Sequence, residues 1–406
     1  MTVFYGLAQA SLFSKYLAIN DFAFITIIYG VTVYSAFADF GISKPLYSEL
    51  RMMYVKGQNW REEIEKVMPF IFFAIFLQNI ILFGIVGYFW MEKKNNFSIL
   101  FIFIFIFTIV SNSLILYIEN IYNSIDDFNY FQVTDNIRRF IALVSLGFIY
   151  IDKTLYLTLL IYSLGLIIII IMQFSRLKNN YNINLIIRAD FLKNIKYIIH
   201  KYWKKSKDFL FFSVNETIIY NMGFLAFPFF YNSKEIIEYG IWVKIFVGST
   251  LLMGVIGLAY NHAISRHYLS MNELMVKVKF IQSFMLSIIF IVIFMLILYL
   301  GSDYIFLYWL DNKYKLNNIF FISLAIWCVG NACQHVSGTF LMSIGTEFQF
   351  LKISSLYILI IMTCSTLLSL NFRLTIDKTL FVNSLVYLIG SLFYLKQAFK
   401  KMNLHV

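Results

Sequence analysis

Twelve runs of mainly apolar residues, separated by short polar gaps, constrain this chain more than any other feature. The runs lie at residues 2–18, 22–45, 67–90, 98–118, 139–151, 155–173, 209–230, 239–260, 280–300, 317–340, 350–370 and 379–397. A helix needs about 20 residues, at about 1.5 Å each, to cross about 30 Å of hydrocarbon, and most runs are long enough. The fifth run is too short to cross the membrane alone, so its helix must include residues on either side. The pattern predicts an all-α membrane protein of about twelve transmembrane helices.

Composition agrees with this prediction. Of the 406 residues, 60% are hydrophobic and only 14% are charged, which is more apolar surface than a soluble core can hide. The first run starts at Thr2 without a basic segment or a small-residue cleavage site, so we expect a first helix and not a cleaved signal peptide. The cysteines, Cys328, Cys333 and Cys364, lie in apolar stretches without the spacing of metal ligands, so we expect no metal site.

The distribution of Lys and Arg predicts the orientation of the chain in the membrane. If the N-terminus is inside, the cytoplasmic gaps and the C-terminal tail hold 22 of the 33 Lys and Arg residues, and the outer gaps hold eight. Since Lys and Arg in short loops resist translocation, this bias predicts that both termini are cytoplasmic. It also explains the net charge of +11 without a nucleic-acid partner.

The longest hydrophilic segment, residues 174–207, predicts the domain organisation. It separates an N-terminal lobe of six helices, residues 1–173, from a C-terminal lobe of six, residues 208–406. Within the segment, apolar residues alternate with lysines, which suits a helix in the headgroup layer of the membrane lipids. A basic cytoplasmic linker without lipid preference fits equally well.

A weak internal repeat supports the division into two lobes. The residues from Asn20 resemble those from Ile237, and Arg51 has a counterpart in Arg266 at a spacing of about 215 residues. Two six-helix halves of the same orientation would be parallel repeats that face a central cavity.

The stretch from Asp39 to Arg51, DFGISKPLYSELR, together with residues 19–38, resembles the second-helix signature of the polysaccharide transporter family, which includes the Wzx-type O-antigen flippases. Asp39, Gly41 and Arg51 fit this signature, whereas Ala23 stands where the family usually has glycine. Residues 307–345 are similar to the outer loop and tenth helix of the same family.

This resemblance implies a fold like that of the MATE exporters and their relatives in the MOP superfamily, with two six-helix lobes around an alternating-access cavity. It also implies a flippase that moves an undecaprenyl-pyrophosphate-linked oligosaccharide, an O-antigen or capsule repeat unit, from the cytoplasmic to the periplasmic leaflet of the bacterial inner membrane. An O-antigen polymerase and a chain-length regulator would then be partners.

Glu216 is the strongest candidate for a functional residue. It lies about seven residues into the seventh run, and Ser213, Thr217 and Tyr220 share its helix face, with Asn221 beside them. An ionisable side chain at membrane depth is costly and usually faces protein or water. We therefore expect Glu216 to take part in cation coupling or sugar contact, while a hydrogen bond between helices is the structural alternative.

Further candidates lie in the eighth and tenth runs. Lys244 lies about five residues inside the outer boundary of its run, where it could attract a pyrophosphate or extend its stem to the surface. In the tenth run the polar residues Asn331, Gln334, His335 and Ser337 cluster toward the cytoplasmic half. Asn331 and His335 are spaced i, i+4, and this polar face could bind sugar hydroxyls or join two helices by a hydrogen bond.

Three charged residues near the cytoplasmic ends of the runs complete the candidates. Asp39 is a second residue for ion coupling, although capping at the interface is the favoured role. Arg51 and Arg266 suit the binding of an anionic lipid headgroup, and ordinary anchoring on the cytoplasmic side explains them equally well.

The sequence contains no nucleotide-binding or common catalytic motif. We therefore expect no enzyme activity and no cofactor, and transport driven by a proton or sodium gradient or by removal of the product.

Two other functions stay open. A membrane O-antigen polymerase or glycosyltransferase would have a large periplasmic loop, whereas the longest outer gap, Ser302–Leu316, is short. A cation-coupled drug exporter of the same fold would have an acidic cavity. The candidate residues include the basic Lys44, Lys244 and His335 and the acidic Asp39 and Glu216, so the charge of the cavity does not distinguish an exporter from a flippase. The family resemblance favours the flippase.

Overall fold

The computed structural model describes residues 2–92, 96–152, 155–183, 191–270, 272–311, 313–314, 317–343 and 348–403. Within these residues the regular structure is entirely helical, which confirms the predicted all-α class. The chain forms two compact units, unit 1 at Met1–Leu210 and unit 2 at Phe211–Val406.

The described residues of unit 1 form nine α-helices, the last of which continues into unit 2. They are α1 (Thr2–Tyr16), α2 (Ile19–Thr32), α3 (Ser43–Val55), α4 (Trp60–Glu92), α5 (Ile99–Ser124), α6 (Phe128–Gly147), α7 (Ile149–Asp152), α8 (Tyr156–Tyr181) and α9 (Phe191–Ala226). The rest of unit 2 contains α10 (Ser233–Leu269), α11 (Glu273–Leu300), α12 (Ser302–Leu310), α13 (Asn318–Ser343), α14 (Phe348–Asn371) and α15 (Ile376–Asn403).

Ten helical segments in the described part of the chain are long and apolar enough to cross a membrane, so the chain is a multi-pass membrane protein. They correspond to ten of the twelve apolar runs. The first run forms α1, whose 15 residues are too few for a full crossing without tilt or flanking residues. The fifth run overlaps α6, which has 20 residues but carries Asp135, Arg138 and Arg139.

The predicted bounds of the fifth run, 139–151, are wrong. The helix at this position, α6, begins at Phe128 and ends at Gly147. Its charges do not need a water-exposed loop, because Arg138 pairs with Asp135 and the Arg139 guanidinium lies 2.6 Å from the same carboxylate. The predicted helix therefore began too late, because its start was placed after most of these charges.

The second run, predicted as one span over 22–45, is also divided. Helix α2 continues as a 3₁₀ segment, Val33–Asp39, and the chain then turns into α3. Phe40 and Gly41 both have left-handed backbone conformations, with φ of 52° and 67°. The Asp39 carboxylate stabilises this turn by accepting a hydrogen bond of 2.9 Å from the Gly41 N–H.

Gly41 also permits a close approach of the turn to α9. A Cβ atom at Gly41 would lie 3.0 Å from the Leu210 Cβ. We expect Gly41→Ala to lower the free energy of unfolding by about 2–3 kcal/mol, because it adds a steric contact to left-handed strain. Gly57→Ala is the matched control, since its φ is 64° but no atom lies within 4 Å, and it should cost about 1 kcal/mol. Equal losses in thermal unfolding of the two variants would contradict the proposed packing role.

The predicted linker is largely helical where the structure describes it. Its N-terminal part belongs to α8, residues 184–190 lie outside the described residues, and its C-terminal part belongs to α9 without a break before the seventh run. Ile198 and Tyr202 of α9 are buried in the core of unit 1, whereas Leu192 and Trp203 are exposed. The apolar face of this segment is thus partly covered by protein, and only its exposed residues are available to lipid.

Candidate functional site

Unit 2 contains a set of hydrogen-bonded polar side chains on membrane-spanning helices, which we term the inner polar cluster. Its members are Glu216 and Tyr220 of α9, Thr250 of α10, Asn331 and Gln334 of α13, and Tyr387 of α15. These side chains come together because they are polar positions on otherwise apolar helices, where burial against one another gives them hydrogen-bond partners. Gln334 Oε1 is buried without a partner among the described residues.

Glu216 forms one end of the cluster. The Gln334 side-chain amide donates a hydrogen bond to Glu216 Oε1, and Gln334 is only 3% exposed. No Lys, Arg or His within the described part of the chain forms an ion pair with Glu216. A carboxyl group in a spanning helix whose partner is a neutral amide is free to take up a proton or a small cation without first breaking a salt bridge.

Tyr220, one turn after Glu216, connects three helices. Its hydroxyl lies 2.9 Å from the Tyr387 hydroxyl and donates to Asn331 Oδ1 at 3.3 Å. Asn331 Nδ2 in turn donates to Thr250 Oγ1 at 3.0 Å. Movement of one of these helices would therefore break hydrogen bonds to the others, which couples the site to helix packing.

Aromatic rings surround the cluster on one side. The Trp327 ring stacks on Tyr387 at 4.5 Å between centroids, and Trp242 meets Trp327 edge-on at 5.2 Å. The Trp242 indole N–H donates to Ser323 Oγ at 3.2 Å. This apolar wall lowers the local dielectric, which strengthens the hydrogen bonds of the cluster.

Four of the polar residues singled out from the sequence therefore lie in the inner polar cluster: Glu216, Tyr220, Asn331 and Gln334. Asn221 does not join them, because its amide donates to the Thr217 carbonyl of its own helix at 3.0 Å. His335 lies beside Gly257, where a Cβ atom would be 3.3 Å from His335 Nε2, so α10 and α13 approach closely there.

Lys244 is half-buried on α10, between the buried residues Trp242 and Phe246. It is not part of the hydrogen bonds of the inner polar cluster. Its position on a spanning helix remains compatible with attraction of an anionic substrate group or with an extended stem.

The candidate residues predicted near the cytoplasmic ends of the helices lie outside the inner polar cluster. Arg51 is exposed on α3 and lies 3.6 Å from Asp126, which is also exposed. Arg266 is exposed in the last turn of α10. Asp39 stabilises the turn before α3, and the side chain of Lys44 lies outside the described residues.

Sequence reasoning missed Thr250 and Tyr387 of the cluster, and it also missed a charged network inside unit 1. In this network Arg138 donates to Asn112 Oδ1 at 3.3 Å and pairs with Asp135, and Tyr162 donates to the same Asn112 oxygen at 2.9 Å. The Glu119 carboxylate, 1% exposed, lies 4.0 Å from Arg138. The spacing of Asp135 and Arg138 at i, i+3 was the available signal for a helix.

Charge at position 244 can be tested directly. If a positive charge there attracts the substrate, Lys244→Arg should retain transport and Lys244→Ala should lose about tenfold, which corresponds to about 1.4 kcal/mol. For the lipid-linked oligosaccharide that the family resemblance implies, transport is measured as surface polysaccharide in a deletion strain that carries each variant at equal protein level. Equal loss in both variants would show that Lys244 acts by packing.

Comparisons with known proteins identify the fold. The chain is similar to a structure of the lipid II flippase MurJ in an inward closed conformation, with a TM-score of 0.68 and 16% identity over 99% of this chain and 88% of that one. It is also similar to a MATE structure in the bent conformation, with a TM-score of 0.61 and 11% identity over 100% and 92% of the two chains.

A MOP superfamily transporter from Pyrococcus furiosus is similar at a TM-score of 0.57 and 10% identity, over 100% of this chain and 93% of that one. No family profile matches the sequence, and no curated protein gives a significant match. At these identities the similarities establish architecture alone. The chain therefore has the multi-helix fold of the MOP superfamily transporters.

Proposed function

We propose that the protein is a flippase that moves an undecaprenyl-pyrophosphate-linked oligosaccharide, an O-antigen or capsule repeat unit, from the cytoplasmic to the periplasmic leaflet of the bacterial inner membrane by alternating access. The observation that carries this proposal is the likeness, over 99% of the chain, to a structure of a lipid II flippase. The signature around Asp39, Gly41 and Arg51 supports the narrower polysaccharide substrate class.

The inner polar cluster supports a transporter driven by an ion gradient. Glu216 is an ionisable group on a spanning helix, and its neutral partner Gln334 leaves it able to bind a proton or a sodium ion. Glu216 contacts α13 through Gln334. Tyr220, one turn further along α9, bonds α13 and α15 and, through Asn331, is linked to α10. Occupation of the site would thus change the packing of these helices, which is what coupling requires.

A cation-coupled drug exporter is the second candidate function. Its support is the similarity to an outward-facing multidrug resistance MATE family transporter, with a TM-score of 0.58 and 11% identity over 100% of this chain and 92% of that one. A membrane polymerase has less support, because these structural neighbours are transporters and a flippase.

Deletion of the gene in its host separates these functions. A flippase predicts complete lipid-linked repeat units that accumulate on the cytoplasmic leaflet, with no surface polymer. Single repeat units at the surface would indicate a polymerase. Normal surface polymer with increased sensitivity to cationic drugs would indicate an exporter. Complementation with the wild-type gene is the control.

A further inference from the structure

A cavity of about 230 Å³ lies in unit 1, at the ends of four helices. The residues around it come from the end of α1, the first turn of α2, the start of α5 and the start of α8. They include Tyr16, Asp21, Phe97, Ser98 and Tyr156. All four helix ends adjoin gaps that the Lys and Arg distribution predicts to be periplasmic. The inner polar cluster belongs to unit 2, so this cavity is a separate site.

Asp21 supplies the cavity with a rigidly held hydrogen-bond acceptor. It is only 8% exposed, and both of its carboxylate oxygens are held by Asn96. The Asn96 backbone N–H donates to Oδ1 at 2.9 Å, and its side-chain amide donates to Oδ2 at 3.1 Å. Because a carboxylate oxygen can accept two hydrogen bonds, each oxygen keeps capacity for a ligand.

Aromatic rings and hydroxyl groups form other parts of the wall. Tyr16, Phe97 and Tyr156 line the cavity, and Phe101 supports Phe97 by stacking at 4.1 Å between centroids. The Ser98 hydroxyl oxygen accepts a hydrogen bond from the Phe101 N–H at 3.2 Å, which fixes its position while its own proton can still donate.

This combination matches the chemistry of a sugar ring. Pyranose hydroxyls both donate and accept, so they can use the Asp21 carboxylate and the Ser98 hydroxyl together, while the C–H face of the ring packs on aromatic side chains. A phosphate group would be repelled by Asp21. An organic cation would also suit the carboxylate and the rings, but it would make no use of the Ser98 hydroxyl. The volume, below that of drug-sized sites, suits one ring.

We propose that this cavity binds one pyranose unit of the transported oligosaccharide on the periplasmic face, which rests on the proposed flippase function. A sugar held at the outer end of unit 1 would favour movement of the substrate headgroup to the outer side, because it would gain contacts there that are absent on the cytoplasmic side.

Binding of free glycosides to the purified full-length chain tests the site. The protein is placed in nanodiscs without sugar-based detergent, and saturation-transfer NMR measures binding of methyl-α-D-glucopyranoside, methyl-α-D-mannopyranoside, N-acetyl-D-glucosamine and L-rhamnose. Tetraphenylphosphonium serves as the organic-cation probe. At least one glycoside should bind, and Asp21→Ala and Tyr156→Leu should each weaken it about tenfold, because each removes a direct contact.

Tyr150→Leu is the matched control. The Tyr150 ring meets Tyr16 edge-on at 5.2 Å and is 60% exposed, but Tyr150 does not line the cavity, so its loss should leave binding unchanged. Tyr156→Leu keeps the test informative if Asp21→Ala fails to fold, which size-exclusion chromatography detects.

Three results would overturn the proposal: no glycoside binds, binding is equal in wild type and variants, or the variants weaken only tetraphenylphosphonium. The assay measures binding and not transport, so a negative result contradicts the sugar site without contradicting the flippase function. If glycoside binding depends on Asp21 but the protein does not flip lipid, the sugar site is supported and the flippase function is contradicted. If the protein flips lipid but binds no glycoside, the sugar site alone is contradicted.

Discussion

Glu216→Gln should abolish most transport while the protein still inserts into the membrane. Glutamine has nearly the same shape and keeps an oxygen that can accept the hydrogen bond from Gln334, but it cannot gain or lose a proton. We expect surface polysaccharide in a complemented deletion strain to fall about tenfold or more, which corresponds to about 1.4 kcal/mol or more.

Asn221→Ala is the matched control for this experiment. Asn221 lies on the same helix, but its amide donates only to the backbone carbonyl of Thr217, so its removal should leave transport near the wild-type level. Wild-type polymer with Glu216→Gln, at equal protein level, would show that Glu216 is a structural hydrogen-bond acceptor and not a coupling residue.

The second large effect is expected at Lys201, which joins α9 to two other helices of unit 1. Its ammonium group lies 2.8 Å from Glu49 of α3 and 2.8 Å from Glu63 of α4, and the Tyr202 hydroxyl donates to Glu63 at 3.2 Å. The Glu63 side chain is only 5% exposed. Lys201→Met would remove the ion pair to Glu49 and leave the buried Glu63 carboxylate without the Lys201 cation.

We expect this substitution to lower the free energy of unfolding by about 2 kcal/mol, less than for a fully buried pair because the Lys201 side chain is 26% exposed. Lys204→Met is the control, since Lys204 is exposed on the same helix and its loss should cost no more than about 0.5 kcal/mol. Thermal unfolding of the solubilised protein provides the measurement. Similar melting temperatures for the two variants would contradict the role of Lys201.

The stability that Lys201 contributes should be lost only at high pH. Burial alone would lower the pKa of Lys201, but its hydrogen bonds to Glu49 and Glu63 outweigh burial and raise that pKa above the ordinary value. A raised pKa contributes stability that is complete below the unfolded-state value of about 10.4 and is lost as the pH rises through the folded-state value. The difference between wild type and Lys201→Met should therefore be the same at pH 7 and pH 9.

The sequence predicted part of the candidate site because membrane depth limits where polar groups can lie. Glu216, Tyr220 and Asn331 were identifiable as polar positions within apolar runs. On the same two helices, Tyr220 donates to Asn331 and Gln334 donates to Glu216. Thr250 and Tyr387 were not identifiable, because a hydroxyl in an apolar helix so often bonds its own backbone or faces lipid. Only the packing of α10 and α15 shows that these two face the cluster.

Charged residues account for the main errors in the fold. Asp135, Arg138 and Arg139 suggested a cytoplasmic gap, yet α6 contains them, because their charges satisfy one another. The turn at Phe40 and Gly41 was hidden in an apolar run, since hydropathy does not report backbone conformation. The all-helical class was accessible because uninterrupted apolar runs of about 20 residues predict membrane-spanning helices.

Direct measurement of lipid flipping tests the central claim. The purified chain is reconstituted into proteoliposomes with undecaprenyl-pyrophosphate-linked oligosaccharides extracted from the deletion strain, and a membrane-impermeant enzyme that cleaves the sugar reports the accessible fraction over time. Wild-type protein should make the inner pool accessible under a proton or sodium gradient, and Glu216→Gln should do so about tenfold more slowly, which corresponds to about 1.4 kcal/mol. An inner pool that stays protected with wild-type protein, as in protein-free liposomes, would contradict the flippase function.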